Sequence, residues 1–226
     1  MSAKPKARQR ETASRHPHGR WSDRVVWQAA SVCLSYPEQD AGVRAALVRA
    51  ALTETAPSVL PRFADLLADW ESTPAGALQA GYVEVFDLSG KQALYLSYWT
   101  DGDTRRRGQV LADFKARYRR SGFLVNTHGE LPDFLPLVLE YGAVADPDDA
   151  ADLLQQYRAS LELLRLALLD RRSAHAGVVA AVCDTLPGAS PATRQEVHAR
   201  AQAGPPVESV GLDPYDPRLL PLSGKG

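Results

Sequence analysis

The sequence predicts an all-α protein, a single bundle of roughly eight to nine helices. Three observations carry that expectation. Ala, Leu and Arg are plentiful, while β-branched residues and alternating apolar/polar runs are scarce, a balance that favours helix over strand. Leu153, Leu154, Tyr157, Leu161, Leu164 and Leu168 recur at separations of one, three, four, three and four, a stripe down one helical face. Helix start signals, with Ser, Thr or Asp ahead of apolar runs, punctuate the chain.

Residues 1–20 carry Lys4, Lys6, Arg8, Arg10, Arg15 and Arg20 against Glu11 with no apolar period, the pattern of a basic, disordered tail that includes His16 and His18. Ser22-Asp23 signals the first helix, with Val25, Val26, Ala29, Val32 and Cys33 on its apolar face and Tyr36-Pro37 at its end. Asp40 is placed to cap a second helix to about Thr53. Ser58 can cap a third that buries Leu60, Phe63, Leu66, Leu67 and Trp70. Thr73-Pro74 starts a fourth, with proline at its first position; it carries Leu78, Tyr82, Val85 and Phe86 and breaks at Ser89-Gly90. The apolar run from Gln92 to Trp99 reads as a short helix.

Asp103 or Thr104 caps the long helix that follows, with Val110, Leu111, Phe114, Ala116 and Tyr118 inside it and Gly122 as its terminator. Phe123 to Glu130 reads as loop. Asp133 reads as the cap of a short helix to about Ala145, with Pro136 in the first turn, where a missing N–H costs little. Asp146-Pro147 restarts the chain into the leucine stripe, which reads as plain core. A helix from about Ala174 to Leu186, and a more polar one from a Ser190-Pro191 cap to about Ala203, complete a domain over 21–203. Residues 204–226 are rich in Gly and Pro, an extended or disordered tail whose Val207, Val210, Leu212, Tyr215, Leu219 and Leu220 give it the means to lie on the body. There is no internal repeat and no second domain.

Composition narrows the function. At 226 residues with a formal charge of −1, 45% hydrophobic and 23% charged, the chain has one ordinary core and no strong bias toward nucleic acid or an anionic membrane. The basic N-terminus lacks the apolar centre of a secretory signal, and Leu161 to Leu169 is interrupted by Glu162 and Arg165, so a cytoplasmic protein without stable membrane insertion is expected. Cys33 and Cys183 lie far apart among small apolar residues and read as buried free thiols. No phosphate loop, histidine pair at metal spacing or nucleophile elbow occurs, and Arg105 to Arg107 spoil the calcium-loop hint of Asp101-Gly102-Asp103. Neither catalysis, a metal nor a tightly bound cofactor is expected.

The unusual stretch is Tyr82 to Tyr141. It holds the aromatic turn Tyr82 to Leu88, the triplet Arg105-Arg106-Arg107 followed by Gly108-Gln109, and Glu130-Leu131-Pro132-Asp133 followed by Phe134, Leu135-Pro136 and Leu139-Glu140-Tyr141. The carboxylates of Glu130 and Asp133 have three readings: a general acid and base, a receptor for arginine side chains, or structure alone. In the structural reading Asp133 caps a helix and Glu130 pairs internally with Arg105 or Arg107. Successive arginines point about 100° apart on a helix, so the triplet cannot serve one site.

In order and spacing these segments resemble the nitrate reductase assembly chaperones, the NarJ family, within the wider group of molybdoenzyme chaperones that includes TorD and DmsD. The resemblance spans roughly Ser22 to Leu186 and is strongest in the middle. It implies an all-helical, cytoplasmic, non-enzymatic TorD/NarJ-like protein. Such a protein binds the new catalytic (alpha) subunit of respiratory nitrate reductase, including its N-terminal segment, as the alpha–beta complex. It supports insertion of bis-molybdopterin guanine dinucleotide before membrane attachment, with molybdenum cofactor biosynthesis proteins as further partners. It also implies a peptide groove, for which Tyr82, Phe86, Leu94, Trp99 and Phe134 are candidate walls, and Glu130, Asp133 and Glu140 candidate receivers of a cationic side chain. Arg107, Gly108, Gln109, Pro132 and Pro136 fall to the structural motif. Arg107 is expected to be internal, because Gly108 beside it permits close helix approach.

The chain departs from that pattern where relatives often carry histidine: Phe134 follows Asp133, and Tyr98-Trp99 stands where Glu-His is common. A pocket without those histidines should respond little to pH between 6 and 8. Competing readings are a chaperone for another molybdoenzyme, an enzyme using Glu130 and Asp133, and a nucleic-acid partner of the basic tail.

Overall fold

A computed structural model describes residues 17–88, 92–101, 105–122, 125–127 and 129–203. Among these the regular elements are helices: α1 (Pro17–Leu34), α2 (Ala41–Thr55), α3 (Ala64–Ser72), α4 (Ala75–Tyr82), α5 (Tyr98–Asp101), α6 (Arg105–Arg120), α7 (Leu135–Val144), α8 (Pro147–Gln156), α9 (Arg158–Asp170), α10 (His175–Asp184) and α11 (Arg194–Ala203). A 3₁₀ turn at Leu60–Arg62 precedes α3, and a π-helical turn at Val83–Asp87 continues α4.

The described residues form eleven helices rather than the expected eight to nine, and two segments depart from expectation. The leucine stripe is cut at Tyr157 (φ −98°, ψ 23°) into α8 and α9, because Tyr157 leaves helical geometry to stack its ring on Phe114 of α6. The run from Gln92 to Trp99 is not a helix: residues 92–97 are extended or turning, and only Tyr98–Asp101 coils. The first helix starts at Pro17, so its opening turn falls in the stretch expected to be tail. The expected caps Asp103 and Thr104, the break at Ser89-Gly90 and the segment 204–226 lie outside the described residues.

The core is built around α1, which packs against α7, α10 and α2. Its apolar face, Val26, Trp27, Ala29, Ala30, Cys33 and Leu34, is buried, and polar groups tie it to both ends of α7: Ser31 Oγ donates to the Pro136 carbonyl (2.8 Å) and Arg24 Nε to that of Ala143 (2.7 Å). The second contact places a cation where the helix leaves carbonyls unpaired. Against α10 lies α9, buried on every side from Ser160 to Leu168. A helix that passes through the middle must satisfy its polar residues internally. Glu162 does so by accepting from Arg158 (2.8 Å), Arg165 (2.6 Å) and Ser190 (2.7 Å). Burial pushes its carboxyl up, but the bonds to Ser190, Arg165 and Arg158 prevail and hold it below the usual range.

The helix ends show which start signals the chain uses. Asp146 caps α8 by accepting from the Asp149 N–H (3.0 Å), and Gly122 takes positive φ (77°) just beyond α6, as a terminating glycine should. Several expected caps differ. Ser58 does not cap α3, whose preceding residue is Phe63 at the end of the 3₁₀ turn. Asp40 turns its carboxylate to Arg44 (2.8 Å), Pro74 is the residue before α4 rather than its first, and Thr193, not Ser190, caps α11 by accepting from the Glu196 N–H (3.2 Å). Ser190 is drawn instead into the Glu162 cluster. Both cysteines are buried and free. No helix among the described residues is long and apolar enough to cross a membrane.

Candidate functional site

The segments singled out in the sequence meet at one piece of extended backbone. Residues 94–96 run antiparallel to residues 133–135, with Leu96 N–H donating to the Asp133 carbonyl (3.0 Å) and Leu135 N–H to that of Leu94 (2.7 Å). Two extended strands are needed here, which is why the apolar run before Trp99 is not helical. The bridge pairs Tyr95 with Phe134, their rings 5.5 Å apart. Tyr118 of α6 closes the underside by donating to the Pro132 carbonyl (2.6 Å).

Asp133 does not cap α7. The residue before that helix is Phe134, and the Asp133 carboxylate points inward, where Oδ2 accepts from the Ser97 N–H (3.1 Å) and hydroxyl (2.6 Å). It is fully buried, and its Oδ1 has no hydrogen-bond partner among the described residues. Glu130 is exposed and accepts from the Tyr95 hydroxyl (2.6 Å). Arg107 lies with its guanidinium 6.0 Å from the centre of the Tyr95 ring, its Nε buried without a hydrogen-bond partner. The direct pairing of Glu130 with Arg107 is therefore replaced by an arrangement in which Tyr95 stands between them. No close approach follows from Gly108, where a Cβ would meet nothing within 4 Å. Among the described residues Gln109 bonds along its own helix, to Asp113 (3.1 Å). The Arg105 side chain lies outside those described.

Three carboxylates act on Tyr95, with Arg107 beside its ring. Its hydroxyl is pushed well up, first by burial, then by its bond to Glu130 and by the charges of Glu130, Asp133 and Asp87. Leu88 and Leu131 are exposed beside these acids in sequence. The result is a carboxylate rim with apolar side chains next to it, suited to a segment that carries both a cation and a hydrophobic residue.

The candidate walls divide. Leu94 is buried under the bridge, Phe134 is half-buried in it, and Trp99 is half-buried with Nε1 donating to the Ala93 carbonyl (3.0 Å). Tyr82 and Phe86 belong to a separate buried stack, rings 4.7 Å apart, with Tyr36 and His175 against them. The Tyr82 hydroxyl donates to the Leu34 carbonyl (3.1 Å). Burial first, then the charges of Asp87 and Glu130, push that hydroxyl up, so this stack borders the rim. His175 is driven down to about 4 by burial. Pro132 and Pro136 are buried, and Glu140 is exposed farther along α7.

Sequence reasoning missed an open apolar groove elsewhere. A cavity of about 380 Å3 lies between α1, α2 and the C-terminal end of α7, lined by Trp21, Val25, Val32, Leu47, Val48 and Val144 among others. Trp21 fell at the edge of the expected tail, and an exposed leucine on an otherwise ordinary helix gives no signal by itself.

The profile of a family described as "Nitrate reductase delta subunit" matches residues 48–181, more than half of the chain and all three motif segments. The chain belongs to that family. Relatives include the "Nitrate reductase-like protein NarX" of Mycobacterium tuberculosis, 41% identical over 167 residues, which are 74% of this chain but 25% of NarX. The "Probable nitrate reductase molybdenum cofactor assembly chaperone NarJ" of Bacillus subtilis is 31% identical over 67% of this chain and 83% of its own length. NarJ of Escherichia coli is 39% identical over 98 residues, 43% of this chain and 41% of that protein. The chain thus spans a quarter of NarX and most of the Bacillus chaperone. Among solved structures, one described as a redox enzyme maturation protein from Archaeoglobus fulgidus superposes with TM-score 0.54 over 77% of this chain and 98% of that one, at 19% identity, which establishes the shared fold.

Proposed function

We propose that this delta-subunit-family protein is a cytoplasmic, non-catalytic chaperone. It binds the apo catalytic (alpha) subunit of a respiratory nitrate reductase, including its N-terminal segment, and supports insertion of bis-molybdopterin guanine dinucleotide before membrane attachment. The observation that carries this reading is the family match across residues 48–181, which contains every motif segment, together with relatives named as nitrate reductase molybdenum cofactor assembly chaperones. Further support comes from the rim at Tyr95, where exposed Glu130 and Asp87 offer carboxylates to a basic side chain and Leu131 and Leu88 offer apolar contact. The client is held as the alpha–beta complex, and cofactor biosynthesis proteins meet it there.

Calorimetric titration with a peptide from the N-terminus of the organism's own alpha subunit, against a scrambled peptide of equal charge, tests the reading. Saturable binding of the true peptide alone is expected, weakened roughly tenfold by Glu130→Ala through loss of one charge-assisted contact. Binding of neither peptide, with no co-purification of the whole apo-subunit, would overturn it.

A further inference from the structure

The groove between α1, α2 and α7 is lined by large apolar side chains left in water: Trp21 is 61% exposed, Leu47 66% and Val144 55%. Their grouping in one concave site, rather than singly over the surface, offers apolar contact to a segment that fits it. We propose that the chain's own C-terminal segment, within 204–226, docks in this groove and covers it.

Composition and charge select that occupant. Val207 to Asp216 supplies Val207, Val210, Leu212 and Tyr215 as anchors, with Glu208, Asp213 and Asp216 and no Lys or Arg. The charged residue of the lining is Arg24, whose Nε is held by the Ala143 carbonyl and which pairs with no carboxylate among the described residues. An acidic segment complements it. The other chain end does not: residues 1–16 carry Lys4, Lys6, Arg8, Arg10 and Arg15, and their apolar side chains amount to alanines, Pro5 and Met1. Reach is not limiting. The 23 residues after Ala203 span up to about 76 Å when extended, against a body roughly 40 Å across. Pro205, Pro206, Pro214, Pro217 and Pro221 fix φ at five positions, so less backbone freedom is lost on docking.

A tethered occupant of this kind sits at high effective concentration and yields only to a ligand that complements the groove better. The inference is independent of the client's identity.

Hydroxyl-radical footprinting of Trp21 in the full chain, read by mass spectrometry with buried Trp70 as internal reference, tests it. The unaltered protein is compared with the variant Val210→Asp, Leu212→Asp, Tyr215→Asp, which touches no residue of the helical body. Trp21 oxidation should rise roughly fivefold in the variant, the ratio for a tethered site occupied four-fifths of the time. Equal rates overturn the proposal. Protection that grows with protein concentration and survives in the variant also overturns it, assigning the groove to a second copy. Independently, a photo-crosslinking amino acid in place of Tyr215 should label residues 21–32 or 43–51; labelling confined to other elements rejects the groove as the docking site.

Discussion

Ser97 gives both its backbone N–H and its hydroxyl to one oxygen of Asp133, at 3.1 and 2.6 Å, across 36 residues of sequence. Both residues are fully buried, so this contact pins the extended segment before α5 to the turn before α7. The second carboxylate oxygen has no hydrogen-bond partner among the described residues, a cost the pin must outweigh.

Asp133→Ala removes the acceptor and leaves two buried donors on Ser97 unpaired, and should cost about 2–4 kcal/mol in urea unfolding. Glu130→Ala, at an exposed site, should change stability by less than about 1 kcal/mol. Burial separates the two carboxylates: Asp133 is fully buried and Glu130 exposed. Equal midpoints for the two would show that the pin carries no weight.

Gly177 and Gly81 make a matched pair. A Cβ on Gly177 would collide with the Arg62 carbonyl, a backbone atom that cannot step aside, whereas one on Gly81 meets nothing within 4 Å. Gly177→Ala should therefore lose about 1–3 kcal/mol by overpacking, while Gly81→Ala in α4 gains up to about 1 kcal/mol of helix propensity. Thermal melts of both variants decide this, and a stabilised Gly177→Ala would contradict the packing of α10 on the Leu60–Arg62 turn.

Acid should weaken the fold in two stages. His175 titrates near 4 when folded, below its ordinary 6.5, so the unfolded chain takes up the proton first. Stability is then full above pH 6.5 and falls by up to about 1.4 kcal/mol per pH unit down to about pH 4. Glu162, held below its ordinary 4.5, contributes stability that is present above that value and is lost as pH falls further. Chemical denaturation from pH 7 to 4 should show the first slope, and His175→Leu should flatten it.

Client affinity, by contrast, should change little between pH 6 and 8. Phe134 and Trp99 carry no group that titrates, and His175 stays neutral throughout that range. Titration with a histidine-free peptide at both ends of the range checks this; a steep dependence would shift attention to His128, two residues before Glu130.

The helices were legible because their signals are local. Caps such as Asp146, the terminator Gly122 and the apolar faces of α1 and α3 can be read within a turn or two of chain. What escaped depends on partners far away. Gln92 to Trp99 has helical composition, yet its backbone pairs with residues 133–135. Ser190 has the form of a cap, yet Glu162 takes its hydroxyl. Glu130 and Arg107 have opposite charge, yet both turn to Tyr95. Period and propensity cannot report such competition, since each side chain chooses among partners only once the bundle is assembled.

One short helix has a wider bearing. The pinned Asp133 and the bridging Phe134 sit just ahead of α7, while Ala143 and Val144 at its other end form part of the groove wall. Ten residues at 1.5 Å each make α7 a ruler about 15 Å long. Buried along nearly all of that length, it joins the two regions through the core rather than over the surface. A shift of this one rod along its axis would move the Asp133 pin and the groove wall together.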